Sequence, residues 1–236
     1  MAPLLSEKDL HHGFGAGGTR LEGLTGVAFE VAPGELVALM GPSGCGKSTL
    51  LNIIGGLLAA DSGTIDVNGS AYGQQPPYAL VELRRAIIGW VFQDYHLLPH
   101  LSALDNVTLA LELAGAVMPE AEQRATAALE RVGLADRAQH RPDELSGGQA
   151  QRVAIARAIA GDRKLLLADE PTGNLDVATS REILELFHEL CTGDNELSIL
   201  MVTHDAALAA RADRMLLLRD GCVAASDVEG AWGDAA

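Results

Sequence analysis

The sequence predicts an α/β fold in which a core of strands and helices is interrupted by a helical lobe. The period of the apolar residues switches repeatedly between about 2 and about 3.6 along the chain, as it does where strands and helices alternate. A short apolar strand also runs directly into a glycine-rich loop at 41–48. From 96 to 160 the pattern is helical, so we expect the core to comprise 1–95 and 161–221.

The first half of the core is predicted to contain strands around one helix. Alternating apolar residues predict a strand at 27–31, because successive side chains of a strand point to opposite faces. The other predicted elements of this half are strands at 35–40, 63–69 and 87–93 and a helix from Lys47 to about Leu58.

The lobe at 96–160 is predicted to consist of helices. Ser102 and Asp105 have the spacing of a capping box, which opens an apolar helix through Leu113. A second helix is predicted to begin at Pro119 and a third near Ser146, in the segment DELSGGQAQRVAIARAI. The lobe therefore interrupts the core with helices alone.

Strand patterns return after the lobe and complete the core. The predicted elements are strands at 164–169, 197–203 and 214–218 and an amphipathic helix near 177–190. The segment 222–236 is expected to be a short tail, too short to form another domain.

Composition excludes several classes of protein. The 236 residues suffice for one large domain or a core with a smaller lobe. No apolar run approaches the roughly 18 residues that cross a bilayer, and the N-terminus lacks a secretory pattern, so we expect a cytoplasmic chain unless another protein holds it elsewhere. The net charge of −15 disfavours nucleic acid as a partner. The three isolated cysteines support neither a zinc site nor a disulfide framework.

The segment GPSGCGKS fits the phosphate-loop pattern G-x-x-x-x-G-K-[ST], with a predicted strand before it and a helix after it. Glycines let the backbone approach phosphates closely, and the helix start adds positive charge. Lys47 would reach the β- and γ-phosphates, and the Ser48 hydroxyl would hold Mg²⁺. Kinase, GTPase, recombinase-type and transport ATPase functions all remain open at this point. The predicted ATP-binding residues are Gly41, Pro42, Ser43, Gly44, Cys45, Gly46, Lys47, Ser48 and Thr49.

Polar residues at the ends of later strands are candidates for the chemistry. Asp169 suits a magnesium shell, and Glu170 suits polarisation of an attacking water. Gln93 could bind Mg²⁺ and water, and His204 could donate to a γ-phosphate. The alternatives are a surface glutamine and an ordinary half-buried histidine. Strand ends of an open α/β sheet are where such sites collect, which favours the functional interpretation.

The start of the third helix of the lobe offers a second anion socket. Ser146, Gly147 and Gly148 place exposed backbone N–H groups at the helix N-terminus. One chain therefore carries two phosphate sockets that lie about a hundred residues apart in sequence.

Taken together, these motifs resemble the nucleotide-binding subunit of ABC transporters. The resemblance covers about Leu10 to Gly221 and implies a P-loop NTPase of the ABC type, hydrolysing ATP with Mg²⁺. The motifs that carry it are the phosphate loop, Gln93, the signature LSGGQ (Leu145, Ser146, Gly147, Gly148, Gln149), the acidic strand ending in Asp169 and Glu170, the D-loop NLD (Asn174, Leu175, Asp176) and His204.

The resemblance implies a head-to-tail homodimer in which each ATP lies between one phosphate loop and the other chain's signature. It also implies that Asp176 communicates between the two sites and that Phe14, where the family commonly has tyrosine, stacks on adenine. Ser48, Gln93 and Asp169 would hold Mg²⁺. The implied partner is a transmembrane permease-type subunit, which would hold the ATPase at the cytoplasmic side of the inner membrane.

The segments GWVFQDYHLLPHLSALDNV and ADEPTGNLD narrow the resemblance to the ATPases of lipoprotein-release, macrolide-export and antimicrobial-peptide-export systems. Ala150 and Trp90 depart from the usual pattern outside the chemistry. Two alternatives remain. One is a division-type ATPase that regulates cell-wall hydrolases. The other is a DNA-repair ABC ATPase, which would carry a long coiled coil that the segment between Gln93 and Leu145 lacks.

Overall fold

The computed structural model describes residues 2–15, 21–193 and 197–225. Their strands form a six-stranded and a four-stranded sheet. The strands are β1 (Leu5–Phe14), β2 (Leu21–Val31), β3 (Leu36–Met40), β4 (Ser62–Val67), β5 (Ser70–Tyr72), β6 (Ile88–Phe92), β7 (Leu165–Asp169), β8 (Ser198–Val202), β9 (Arg214–Arg219) and β10 (Cys222–Ala225). The helices are α1 (Lys47–Ile54), α2 (Val81–Ile87), α3 (Ala103–Leu113), α4 (Glu120–Arg131), α5 (Gly147–Ile159), α6 (Val177–Thr192) and α7 (Ala206–Ala209).

The six-stranded sheet has the order β10-β9-β3-β8-β7-β6 and is the centre of the fold. The strands from β9 to β6 run parallel, and β10 pairs antiparallel with β9 at one edge. Within β3, Leu36 and Ala38 face the same core as the helical lobe, whereas Val37 and Leu39 face the core around α1. The sheet is buried on both faces, which explains its nearly continuous apolar strands.

The four-stranded sheet is antiparallel, with the order β2-β1-β4-β5, and covers the α1 side of the central sheet. Its strand β1 was not predicted, because Glu7, Lys8 and Asp9 break the apolar alternation in sequence. Register shifts along the β1–β2 pair occur in this part of the strand, and Asp9 has a positive φ of 51°. Because the strand pairing is irregular here, the apolar residues do not alternate, and the sequence pattern does not predict the strand.

The helical lobe forms as the sequence predicts. Ser102 caps α3, and the reciprocal hydrogen bonds of the capping box with Asp105 are present. Helix α4 begins one residue after Pro119, and Ser146 caps α5 with a second capping box. The three helices pack on one another, and α5 also contacts β6, so the lobe shares one hydrophobic core with the sheet.

Three predicted boundaries are wrong. The strand predicted at 27–31 begins earlier, at Leu21. The helix predicted to reach Leu58 ends at Ile54, because Gly55 and Gly56 follow and Gly56 takes a left-handed φ of 65°. An added Cβ at Gly55 would lie 2.1 Å from Trp90, so the chain must turn there with glycine. The predicted tail also begins with an edge strand, β10, because a turn at Asp220 and Gly221 folds it back on β9. The remainder of that tail, 226–236, lies outside the described residues.

The structure describes no helix that is both long enough and apolar enough to cross a membrane.

Candidate functional site

The loop at 41–48 joins β3 to α1, as its motif predicts. Gly41 and Gly46 have φ values of 153° and 107°, which L side chains rarely adopt. A Cβ at Gly41 would lie 2.2 Å from the Leu218 carbonyl oxygen, so the neighbouring strand also requires glycine there. The Lys47 ammonium donates to the carbonyl oxygens of Gly41 at 2.7 Å and Pro42 at 2.9 Å. The cation is thus held over the loop, where phosphates would replace these weak acceptors.

Ser48 and Asp169 come together although 120 residues separate them. The Ser48 hydroxyl lies near the Asp169 carboxylate at the end of β7, close enough to influence its pKa. The pKa of Asp169 is raised, chiefly because burial disfavours its charge, while the Ser48 hydroxyl opposes the shift. The negative charge of Glu170 raises that pKa further, and Lys47 lowers it. A hydroxyl and a carboxylate oxygen are donors that suit Mg²⁺.

Glu170 lies in a strained turn just past β7. Its φ of 50° is left-handed, and its backbone is held by hydrogen bonds with the Val202 carbonyl and the Gly173 N–H. The Glu170 Oε2 atom lies 2.8 Å from His204 Nδ1. Since β7 and β8 are neighbours in the sheet, both residues emerge at its carboxyl edge, where α/β sites are found. The arrangement joins a carboxylate that can orient water to a side chain that can donate a proton.

The Gln93 side chain is hydrogen-bonded to the turn before α6. Gln93 lies one residue after β6 rather than at its end. Its amide Nε2 donates to Asn174 Oδ1 at 3.1 Å, and Asn174 Nδ2 donates back to the Gln93 carbonyl and to Asp94 Oδ1. A Cβ at Gly173 would lie 2.9 Å from the amide, so glycine makes room for it. Gln93 therefore contacts the turn before α6, while Ser48 and Asp169 contact each other.

The signature at 145–149 opens α5 as an exposed helix start. Ser146 Oγ accepts from the Gln149 N–H at 3.3 Å, and Gln149 Oε1 accepts from the Ser146 N–H at 2.9 Å. Neighbouring side chains pack closely against Gly147 and Gly148. A Cβ added at Gly147 would lie 3.1 Å from the Tyr95 hydroxyl, and one added at Gly148 would lie 2.5 Å from Thr179 Cγ2. The packing of this junction therefore requires glycine at Gly148 and leaves little room for a side chain at Gly147. Leu145 packs against the core of the lobe.

Asp176 has a structural role that the sequence analysis did not identify. It caps α6, with Oδ1 accepting from the N–H groups of Ala178 and Thr179 and Oδ2 accepting from the Thr179 hydroxyl. The hydrogen bond from the Thr179 side chain is the largest cause of its lowered pKa. Leu175, one residue earlier, packs partly against the larger core.

Two sets of contacts at the site were missed in the sequence. Asn174, predicted only as part of the D-loop, bonds both Gln93 and Asp94. Arg157, on α5, donates to the carbonyl oxygens of Tyr95 and His96 and so ties the segment after Gln93 to the signature helix. Backbone carbonyls accept these bonds, and every residue has one, so the sequence carries no signal for the Arg157 contacts.

Phe14 ends β1, and its side chain is 49% exposed. The loop at 41–48 and the helix start at Ser146 lie on different parts of the fold. Helix α1 packs on β2 and β7, whereas α5 packs on α3, α4, α6 and β6.

Comparison with known proteins agrees with this architecture. The pattern of the ABC transporter family matches residues 24–173. The lipoprotein-releasing system ATP-binding protein LolD of Novosphingobium aromaticivorans is 45% identical over 219 residues, covering 93% of this chain and 97% of LolD. The macrolide export ATP-binding/permease protein MacB of Escherichia coli K12 is 44% identical over 221 residues, or 94% of this chain. The chain spans 34% of the length of that relative.

Two solved structures have the same fold. The dimeric structure of MJ0796, a bacterial ABC transporter cassette, superposes with a TM-score of 0.83 at 38% identity, covering 94% of this chain and 97% of that one. A dimeric post-hydrolysis state of MJ0796 with ADP and Pi has the same TM-score and coverage at 37% identity. The chain belongs to the ABC transporter family, as a P-loop ATP-binding domain. It is an ABC-type ATPase, as the resemblance of its motifs implies.

Proposed function

We propose that this chain is the ATP-hydrolysing subunit of a bacterial ABC export or lipoprotein-release system. Two copies bind two MgATP head to tail and drive a separate transmembrane subunit. The observation that carries the proposal is the separation of the two sockets, the Lys47 loop on α1 and the Ser146 helix start on α5. Each motif occurs once in the sequence, and in the proposed dimer each site joins the phosphate loop of one copy to the signature of the other.

The proposed chemistry is electrostatic clamping of the transferring phosphoryl group. Lys47, His204 and the opposite chain's Ser146 stabilise its charge, and Glu170 orients the attacking water. Ser48, Asp169 and Gln93 would hold Mg²⁺, which would supply positive charge that neutralises the phosphates. Gln93 donates a 3.1 Å hydrogen bond to Asn174, and it would have to give up this bond to hold the metal. The remaining ATP contacts come from the residues predicted above, including Phe14 at the base.

The proposed partner and location rest on the relatives. LolD is named as the ATP-binding protein of a lipoprotein-releasing system, and MacB is named as an ATP-binding/permease protein. The likeness to these two proteins supports an ATPase that works with a transmembrane permease. Such a subunit acts at the cytoplasmic side of the inner membrane.

Crosslinking tests the shared site directly. One chain carries Ser43→Cys in the exposed phosphate loop, and a second chain with a mass tag carries Ser146→Cys. Both also carry Cys222→Ser, which removes the exposed native thiol, and Glu170→Gln, which slows hydrolysis. With MgATP, a short bifunctional reagent is expected to give a crosslinked species with the summed mass of the two chains.

The matched control replaces Ser146→Cys with Glu130→Cys, an exposed position on α4. It is expected to give no ATP-dependent crosslink. An ATP-dependent product at Glu130→Cys but none at Ser146→Cys contradicts the head-to-tail arrangement.

A further inference from the structure

The Phe14 ring is held by two neighbours while half of its surface stays open. Its centroid lies 5.0 Å from that of the His12 ring, with the ring planes at 85°. A Cβ at Gly23 would lie 2.8 Å from Phe14 Cε2, so the opposite strand touches the ring through bare backbone. Phenylalanine has no hydroxyl to anchor it, and its orientation therefore depends on these contacts.

His12 is itself buried. It lies two residues before Phe14 on β1, with a register shift between His12 and Gly13, and the ring contact shows that the two side chains meet. Its side chain is 10% exposed, and Nδ1 lies 3.8 Å from Asp61 Oδ2. The same carboxylate oxygen accepts from the Gly13 N–H at 2.7 Å, between the two aromatic residues. Burial, rather than a hydrogen bond, therefore keeps the His12 ring beside Phe14, since its Nδ1 atom has no hydrogen-bond partner among the described residues.

We infer that His12 is a positioning residue that sets the Phe14 ring for stacking on the adenine of ATP. The inference rests on the proposed function, in which Phe14 binds the base. Edge-to-face contact with His12 restricts the ring before the nucleotide arrives, so less side-chain freedom is lost on stacking. His12 touches neither the phosphates nor the reacting atoms in this arrangement.

Measuring the affinities for MgATP and for magnesium tripolyphosphate distinguishes a positioning role of His12 from a merely structural one. Tripolyphosphate engages the phosphate loop but has no base, so stacking on Phe14 cannot affect it. His12→Ala is expected to weaken MgATP binding roughly 3- to 10-fold, in line with one aromatic contact. Tripolyphosphate binding should stay unchanged. His12→Phe, which keeps an aromatic wall, should restore ATP affinity.

The double variant completes the test. His12→Ala added to Phe14→Ala should weaken ATP binding no further than Phe14→Ala alone, because both act through one ring. Equal weakening of ATP and tripolyphosphate by His12→Ala, additive losses, or unchanged ATP affinity overturns the inference. If Phe14→Ala also leaves ATP affinity unchanged, the proposed base site fails as well. If only Phe14→Ala weakens binding, the proposed function survives and the role of His12 does not.

Discussion

At the scale of single residues, the contact between Glu170 and His204 joins two residues with predicted roles in hydrolysis. Glu170→Gln keeps the size of the side chain but removes the charge that polarises water. We expect turnover to fall roughly 10²- to 10⁴-fold while ATP binding survives, measured by phosphate release and by equilibrium nucleotide binding. Glu130→Gln, which alters an exposed carboxylate on α4, is the control and should hydrolyse normally. Normal hydrolysis by Glu170→Gln would assign water activation to another group.

Glu7 is expected to make the stability of the folded chain depend on pH. It lies on β1 opposite Phe29 and Ile65, is 2% exposed, and both its carboxyl oxygens lack a hydrogen-bond partner among the described residues. Burial raises its pKa well above the usual value. The unfolded chain, with a pKa of about 4.3, then loses this proton at lower pH than the folded chain. The stabilisation that the protonated group provides is complete below the unfolded pKa and is lost as pH rises toward the folded pKa.

Relative to Glu7→Gln, the natural protein should therefore lose stability as pH rises above about 4.3, by about 1.4 kcal/mol for each unit of pKa shift traversed. Urea unfolding of both proteins between about pH 5 and about pH 8 measures this difference. Glu30→Gln, at an exposed position on β2, is the comparison variant. A difference between Glu7→Gln and the natural protein that is constant across this range contradicts a protonated Glu7.

At the scale of elements, the junction of α5 with α6 shows why the signature needs glycine. A Cβ at Gly148 would lie 2.5 Å from Thr179 Cγ2, closer than real contacts allow. Gly148→Ala is therefore expected to lower stability by about 1–3 kcal/mol, the usual cost of overpacking, in urea unfolding. Thr179→Ser removes the methyl group but keeps the hydroxyl that bonds Asp176, so the double variant should recover most of that loss.

The same two substitutions, Gly148→Ala and Thr179→Ser, also distinguish a packing role of Gly148 from a role in anion binding. If the double variant regains stability but hydrolyses ATP slowly, Gly148 also serves the nucleotide. If Thr179→Ser gives no recovery of stability, contact with its methyl group is not the reason for glycine at this position.

At the scale of the whole molecule, mixed dimers test whether sites are shared. Lys47→Ala disables the phosphate loop, and Ser146→Arg blocks the signature. A heterodimer of these two chains keeps one site with both halves intact. Random mixing should thus restore roughly a quarter of the natural ATPase activity, since about half of the dimers are mixed and each has one site of two.

A matched mixture sets the baseline for that experiment. Lys47→Ala chains combined with chains carrying both substitutions contain no intact phosphate loop, and they should stay inactive at every ratio. Equal activity in the two mixtures, or none above the single variants, contradicts composite sites.

The chemistry-bearing segments could be predicted from the sequence because each combines a residue pattern with a local backbone requirement. The phosphate loop, the Ser102 capping box and the start of α5 at Ser146 all formed as expected. The early strand β1 could not be predicted, since Glu7 and Asp9 obscure its alternation and long-range pairing with β2 and β4 creates it. The strand propensity of single residues predicts little where pairing with distant strands decides the structure.

By itself, the sequence determined the α/β class, the phosphate socket and the acidic strand end, because these depend on spacing within one segment. Only the tertiary structure decided which distant groups meet: Ser48 with Asp169, Glu170 with His204, and Gln93 with Asn174. It also placed Glu7 in an apolar core and set His12 beside Phe14. The physical reason is that strand order and packing bring separate segments together, and neither is encoded in the spacing of residues along one of them.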